Sequence, residues 1–270
     1  MSETVASAQR FAPLFGSDDD ARRLTTASLL CNGSAYAHLL LAAAGMLPAW
    51  TLLLTVPILV PRWMIAIHEL FHLRSEREVD PVTLLLPFSF TLISVGYREL
   101  LVNHRSHHRH MATLMDAEYF QLRGSPLAGL FNALSAPEQL WFRWIAEHGM
   151  DGALLRGTLI RLALTLALVG SSGTSFLWYW VPARLAFGLS YFIFFYCLHR
   201  RGREFGVYPL VLPGALARIA TFVWGRDVVE ATQHHDVHHA QPRIAARRLA
   251  EARTTLREVQ LAGTNRHTTG

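Results

Sequence analysis

The sequence predicts an all-α integral-membrane protein, on three observations. Hydrophobic residues make up 51% of the 270-residue chain and charged residues only 17%, where a soluble domain carries about a quarter. Mean hydropathy is +0.22, and the apolar residues gather in stretches close to the roughly 20 residues that cross a bilayer. All the positive charge is Arg, 25 residues with no Lys, and it avoids the tips between paired apolar stretches. Intrinsic disorder, a collagen-like repeat and a disulfide framework are excluded. Cys31 and Cys197 stand far apart with no CxxC, so neither a redox pair nor a zinc knuckle is suggested.

Residues 1–28 form a mixed polar segment with the run Asp18-Asp19-Asp20 and then Arg22-Arg23, and no secretory signal pattern is read in them. Apolar residues then dominate over 29–47, and after Pro48 again over 49–67. These predict a transmembrane hairpin, about 29–67, whose second helix runs directly into His68. Residues 68–156 are a more polar insertion containing one shorter apolar stretch, 81–97, which is either re-entrant or lies on the surface. A second hairpin is expected over about 157–198, turning near Trp178-Tyr179-Trp180-Val181-Pro182, where clustered aromatics suit a headgroup boundary. Residues 29–239 thus read as one membrane domain of four spanning helices with a helical cap, and 240–270 as a polar Arg-rich tail.

Orientation follows from the arginines. Eight lie between 72 and 156, eleven beyond 199 and three before the first span, while the turns at 46–50 and 171–183 have none. By the positive-inside rule both termini and the insertion face the cytoplasm, as in a bacterial inner (plasma) membrane. The net charge of +5 is therefore assigned to a membrane surface, with no nucleic-acid partner expected.

Nine of the 14 histidines fall in four places. His68 and His72 form H-x3-H, His104, His107 and His108 form H-x2-H-H, and His235, His238 and His239 form a second H-x2-H-H. His199 stands alone at the inner end of the fourth expected helix. Residues three and four apart on a helix share a face, so each group aims its imidazoles at one place. Neutral imidazole ligates iron, zinc and copper. All four places begin at the same membrane face and can converge just below the bilayer. Nine ligands are too many for one ion; they suit two metals with four or five nitrogens each and positions left for oxygen. Asp116, Glu118, Asp227 and Asp236 are candidates to accept the free ring N–H of ligating histidines, and His110 and His234 adjoin the boxes as outer candidates. His38 reads as a helix-packing or interfacial residue, His148 and His267 as ordinary loop and tail residues.

Two rivals bear on the histidines. His68-Glu69-Leu70-Phe71-His72 is also H-E-x-x-H, the zinc-protease signature with Glu69 as general base, but that reading leaves both H-x2-H-H groups and His199 unexplained. A haem protein needs axial histidines facing each other inside the spans, and His38 has no evident partner at its depth.

The order hairpin, first box, second box, hairpin, third box resembles the membrane fatty-acid desaturase and hydroxylase superfamily, the integral-membrane di-iron enzymes. The resemblance runs from the first hairpin through His239. It includes His107-His108-Arg109-His110 followed by Asp116-Ala117-Glu118, which looks like the second box and the acids after it. It implies that the eight box histidines bind two iron ions, with His199 in the place of a ninth ligand. One departure is Phe195, where some acyl-CoA desaturases have Asn one turn before the lone histidine. The resemblance implies O2-dependent desaturation of a fatty acyl or related lipid chain, with lipid or alkane hydroxylation as the alternative on the same scaffold. No fused redox module is encoded, so electrons are expected from a separate ferredoxin or b-type cytochrome. Arg200, Arg201, Arg203, Arg243, Arg247 and Arg248 are the expected docking surface for that carrier, or else a contact with anionic headgroups.

Overall fold

Ser17 starts the first long helix. Its hydroxyl accepts from the Asp20 N–H at 3.2 Å while the Asp20 carboxylate accepts from the Ser17 N–H at 3.1 Å, a reciprocal cap that sets α1 at Asp18–Ala43. The computed structural model describes residues 11–85 and 93–256. His267 and residues 86–92 of the 81–97 stretch therefore lie outside the described residues, as do 1–10 and 257–270.

After Ala49–Thr51, a single 3₁₀ turn, α2 runs over Leu52–Leu73 straight through Pro57 and Pro61. A proline frees the carbonyl four residues before it, so Pro61 leaves the Pro57 carbonyl without a helical donor. The Trp224 indole N–H donates to that carbonyl at 3.1 Å, which is how a helix at membrane depth tolerates the break. His38 ties α1 to α2: its Nε2 lies 2.7 Å from Thr51 Oγ1 and its Nδ1 2.9 Å from Thr55 Oγ1. The packing role read from sequence is thus the observed one.

The insertion holds α3 at Pro81–Leu85, α4 at Tyr97–His110, α5 at Pro126–Leu134 and α6 at Ala136–His148. Two long helices follow, α7 at Gly152–Ser172 and α8 at Ser175–Tyr191, the second continued by a π-helical segment, Phe192–Cys197. The turn between them lies at Gly173 and Thr174, not near 178–182 as the aromatic cluster had suggested. Gly173 has φ +54°, a conformation that glycine adopts cheaply and that ends α7. Pro182 sits inside α8 instead of ending it, and Trp178 to Trp180 occupy the first turns of the helix. An antiparallel pair, β1 Arg200–Arg201 and β2 Glu204–Phe205, turns the chain into α9 Gly214–Trp224, α10 Arg226–Gln233 and α11 His235–Ala240.

Among the described residues, three segments are long and apolar enough to cross a membrane: Ala49–Leu73, Gly152–Ser172 and Ser175–Cys197. The first expected span is not among them, because α1 carries Asn32, Ser34 and His38 within its apolar half. Small residues line the contact between α1, α2 and α8: Ala35, Ala42, Ala66 and Ala183 are all buried, and small side chains let helices approach closely where lipid removes the hydrophobic drive. Part of the stretch read as a polar tail is packed inside. Phe15 pairs with Ile244, the Ala245 N–H donates to the Leu14 carbonyl at 3.1 Å, and Leu249 and Ala252 have no exposed surface.

Candidate metal centre

Four pieces of backbone deliver the nine histidines to one place. The end of α2 carries His68 and His72, α4 carries His104, His107 and His108, the residue pair after the π-helical segment carries His199, and α11 carries His235, His238 and His239. They divide into two adjoining groups. His68, His72, His104, His108 and His238 place one nitrogen each within 4.8 Å of the others, and so do His107, His199 and His239. His235 joins the second group, its Nε2 lying 3.3 Å from His199 Nε2. The groups touch where the rings of His108 and His239 stack, centroids 4.2 Å apart. Each H-x2-H-H box is split between them: His104 and His108, one helical turn apart, face the first group, while His107 faces the second. The sequence reading gave each box a single aim, and the rotation of about 100° between neighbouring residues is what divides it.

The nitrogens are arranged as lone pairs facing one another. His199 Nδ1 donates to the Phe194 and Phe195 carbonyls at 3.0 and 3.1 Å, so its Nε2 carries no proton. His107 Nδ1 donates to Asp116 Oδ2 at 2.9 Å, which turns His107 Nε2 toward the second group. Those two Nε2 atoms lie 3.2 Å apart, and His239 Nε2 lies 3.0 Å from His199 Nε2. One acceptor nitrogen cannot satisfy three neighbouring nitrogens by hydrogen bonding, but a cation among them can. In the first group His72 and His104 bring Nε2 atoms within 2.8 Å. Both nitrogens of His108 and both of His238 are buried with no hydrogen-bond partner, a costly state for groups this polar. The donor set therefore fits metal ions, two of them by the division of the nitrogens.

Burial, reinforced by repulsion from neighbouring rings, holds His104, His235, His238 and His239 well below the ordinary imidazole range. The same causes bring His108 down to about 2 and His199 to about 3. These rings are neutral at pH 7, as metal ligands must be. The unfolded chain takes up protons below about pH 6.5 that the folded chain refuses. Stability of the metal-free protein is thus expected to fall as pH drops below that value, by up to about 1.4 kcal/mol per pH unit for each such histidine. Thermal unfolding in detergent at pH 7.5 and 5.5 measures this, and an unfolding temperature independent of pH would contradict the buried, neutral site.

Of the acids named from sequence, Asp116 occupies the expected place. It is buried, and its carboxylate accepts from His107 and from the backbone N–H groups of Ala112 at 3.1 Å and Glu118 at 2.9 Å. Burial raises its pKa, but these hydrogen bonds outweigh burial and hold it below the usual carboxylate range. Ala112 adopts φ +60° to reach it, local strain of a kind that collects at functional sites. Glu118 is buried but makes no hydrogen bond to any of the nine rings; it accepts from the Tyr191 hydroxyl at 2.8 Å. Asp227 pairs with Arg23 and Arg247, and Asp236 with Arg253. His234 binds Arg253 Nε at 2.7 Å, and His110 stands outside both groups at the end of α4. These four do not orient the cluster.

The residue sequence reasoning missed is Glu69. Its Oε1 lies 3.1 Å from His68 Nδ1 and 3.8 Å from His238 Nδ1, and its Oε2 accepts from the Ala246 N–H at 2.9 Å. Its carboxylate serves the first group as Asp116 serves the second. The available signal was its place inside the first box, where it had been weighed only as a protease base. The arginines expected to dock a carrier are largely engaged at home. Arg200 donates to the Leu122 and Gly124 carbonyls, Arg248 to the Phe15 carbonyl at 2.9 Å, and Arg243 lies over the Phe15 ring.

His68 and His104 also form part of the wall of an apolar cavity of about 90 Å³ between α2, α4 and α8. Phe71, Leu140, Phe187 and Phe194 are among its apolar lining, with Glu118 and Tyr191 as a hydrogen-bonded polar pair. No known protein family matches the chain, and no curated protein matches it in sequence.

Proposed function

We propose that the chain is an integral-membrane di-iron enzyme of the desaturase and hydroxylase type, which desaturates a lipid chain at the expense of O2. The observation that carries this reading is the division of nine histidines into groups of five and four beside an apolar cavity whose wall includes His68 and His104. The first group would hold one iron and the second group the other. Bound iron supplies the reduction of O2 and the oxidation of an unactivated C–H bond, chemistry no side chain here can perform. The net reaction removes two hydrogens from adjacent carbons and, with two electrons and two protons from outside, reduces O2 to two waters.

The chain's own residues do the rest. Phe71, Leu140 and Phe194 hold a methylene chain by apolar contact and exclude water from the place where it meets the histidine wall. Asp116 and Glu69 hold protons on the Nδ1 atoms of His107 and His68, so that both rings present bare Nε2 atoms. In this reading α1 is the fourth span, the termini and histidine cluster face the cytoplasm of a bacterial inner membrane, and a separate ferredoxin or b-type cytochrome delivers the electrons.

The test is metal analysis joined to product mass spectrometry. About two irons per chain, with a product lighter by two hydrogens, support desaturation; a product heavier by one oxygen supports the hydroxylase alternative. One zinc per chain and O2-independent peptide cleavage would replace both with the H-E-x-x-H protease.

A further inference from the structure

Arg161 lies in the middle of α7, a helix apolar enough to span a membrane, and is 6% exposed. An ionised side chain at such a position is costly unless a partner meets it. Among the described residues Arg161 has no carboxylate partner. Its Nη2 donates to the Ser94 carbonyl at 2.6 Å and to Thr158 Oγ1 at 3.4 Å, and its buried Nε has no partner at all. Glu99, the nearby acid, is already held by Arg98 at 2.6 Å and by the Gly96 N–H at 2.8 Å. Residues 86–92 include no acid in the sequence.

The guanidinium borders a pocket of about 470 Å³ between α7 and the start of α4. Two glycines keep space beside it: a Cβ at Gly96 or at Gly157 would lie 3.2 Å from Arg161 Nη1. Arg77 and Arg156 stand exposed at the same pocket, while Leu84, Leu154 and Ile160 give it an apolar side. Four arginines, Arg77, Arg98, Arg156 and Arg161, line the pocket against two carboxylates, Glu76 and Glu99, so it is basic on balance and greasy along one flank. That combination fits an amphiphile better than a free ion.

We infer that this pocket binds the anionic head, phosphate or carboxylate, of a lipid, with Arg161 as its buried counter-charge and the chain lying against Ile160 and Leu84. The site adjoins the histidine cavity: Ser94 and Val95 line that cavity and Gly96 lines this pocket. The inference stands without any redox chemistry, and its readout is lipid retention alone.

Native mass spectrometry of the purified full chain, titrated separately with dioleoylphosphatidylglycerol, oleate, uncharged dioleoylglycerol and inorganic phosphate, tests it. At least one of the two anionic lipids is expected to be retained about tenfold or more over dioleoylglycerol, and Arg161→Gln is expected to reduce retention to the dioleoylglycerol level. Retention of the phospholipid but not oleate identifies a phospholipid head; retention of oleate identifies a free carboxylate. Should Arg161→Gln fail to fold, Gly157→Val keeps the charge, fills the space beside Nη1 and is expected to show the same loss. Equal retention of charged and uncharged lipid, or anionic-lipid retention unchanged in a folded variant, overturns the inference. So does displacement of the lipid by inorganic phosphate that binds equally well alone.

Discussion

Replacing His108 or His238 by Ala is expected to cost the protein both a metal ion and its turnover. These two rings have the clearest need of a cation. Each is buried, each is held neutral by its surroundings, and neither nitrogen of either ring has a hydrogen-bond partner. A structural histidine buried at such cost normally bonds to something. Removing one takes a ligand from the group of five, so metal content is expected to fall from about two ions per chain to about one. The loss in affinity should exceed the roughly 10–100-fold that removal of an outer hydrogen-bond partner costs. His199→Ala and His239→Ala should empty the other group, with the same loss of turnover, because the proposed reaction needs both. His148→Ala is the control: its ring stacks on Trp144 with centroids 4.1 Å apart, outside both groups, and metal content should not change. Full activity and two metals in His238→Ala would remove the site as described.

The centre was legible in the sequence because helical spacing converts directly into shared direction. H-x3-H at the end of an apolar stretch and two H-x2-H-H runs announce where imidazoles point, and His199 was found by its place at the end of the last apolar helix. What spacing could not give was the partition of each box between two groups. That depends on how α4 and α11 are rotated against α2, which is decided by packing of buried residues such as Leu70, Tyr97 and Val237. The acids show the same limit. Asp116 and Asp236 stand close to their boxes in sequence, yet only Asp116 meets a histidine. The loop through Ala112 folds back on α4, whereas Asp236 turns outward to Arg253. Glu69 was read only through the H-E-x-x-H motif, and its place beside His68 and His238 follows from the packing instead. The displaced turn has a simpler cause: aromatic residues mark a preferred depth in a bilayer, not a chain reversal, and Gly173 was the stronger turn signal. The packed segment around Ile244 was hidden among polar neighbours: Arg247 and Arg248 bond to acids and backbone of the fold, and Arg243 lies over the Phe15 ring.

Asp116→Ala and Glu69→Ala should each weaken metal binding at one group and spare the other. The Asp116 carboxylate fixes the proton of His107 on Nδ1, and with the proton there Nε2 is free to bind a cation. Without it, His107 can carry its proton on either nitrogen, and the ring loses the acceptor that holds its orientation. The Ala112 and Glu118 N–H groups lose their acceptor too, so the loop that closes over the group of four should loosen. An outer partner of this kind is worth about 10–100-fold in metal affinity, or roughly 1.4–2.7 kcal/mol. Glu69 acts on His68 at 3.1 Å and lies 3.8 Å from His238, so its loss should fall on the group of five. Stepwise metal titration of the apo-protein separates the two cases: each variant should show one binding step unchanged and one weakened, and the weakened step should differ between them. Turnover should fall in both, since one poorly held ion disables the pair. If both variants weaken the same step, the division into five and four is not how the protein uses its histidines. If neither weakens any step, the carboxylates stabilise the fold without orienting ligands, and only the histidine substitutions would still report on the metals.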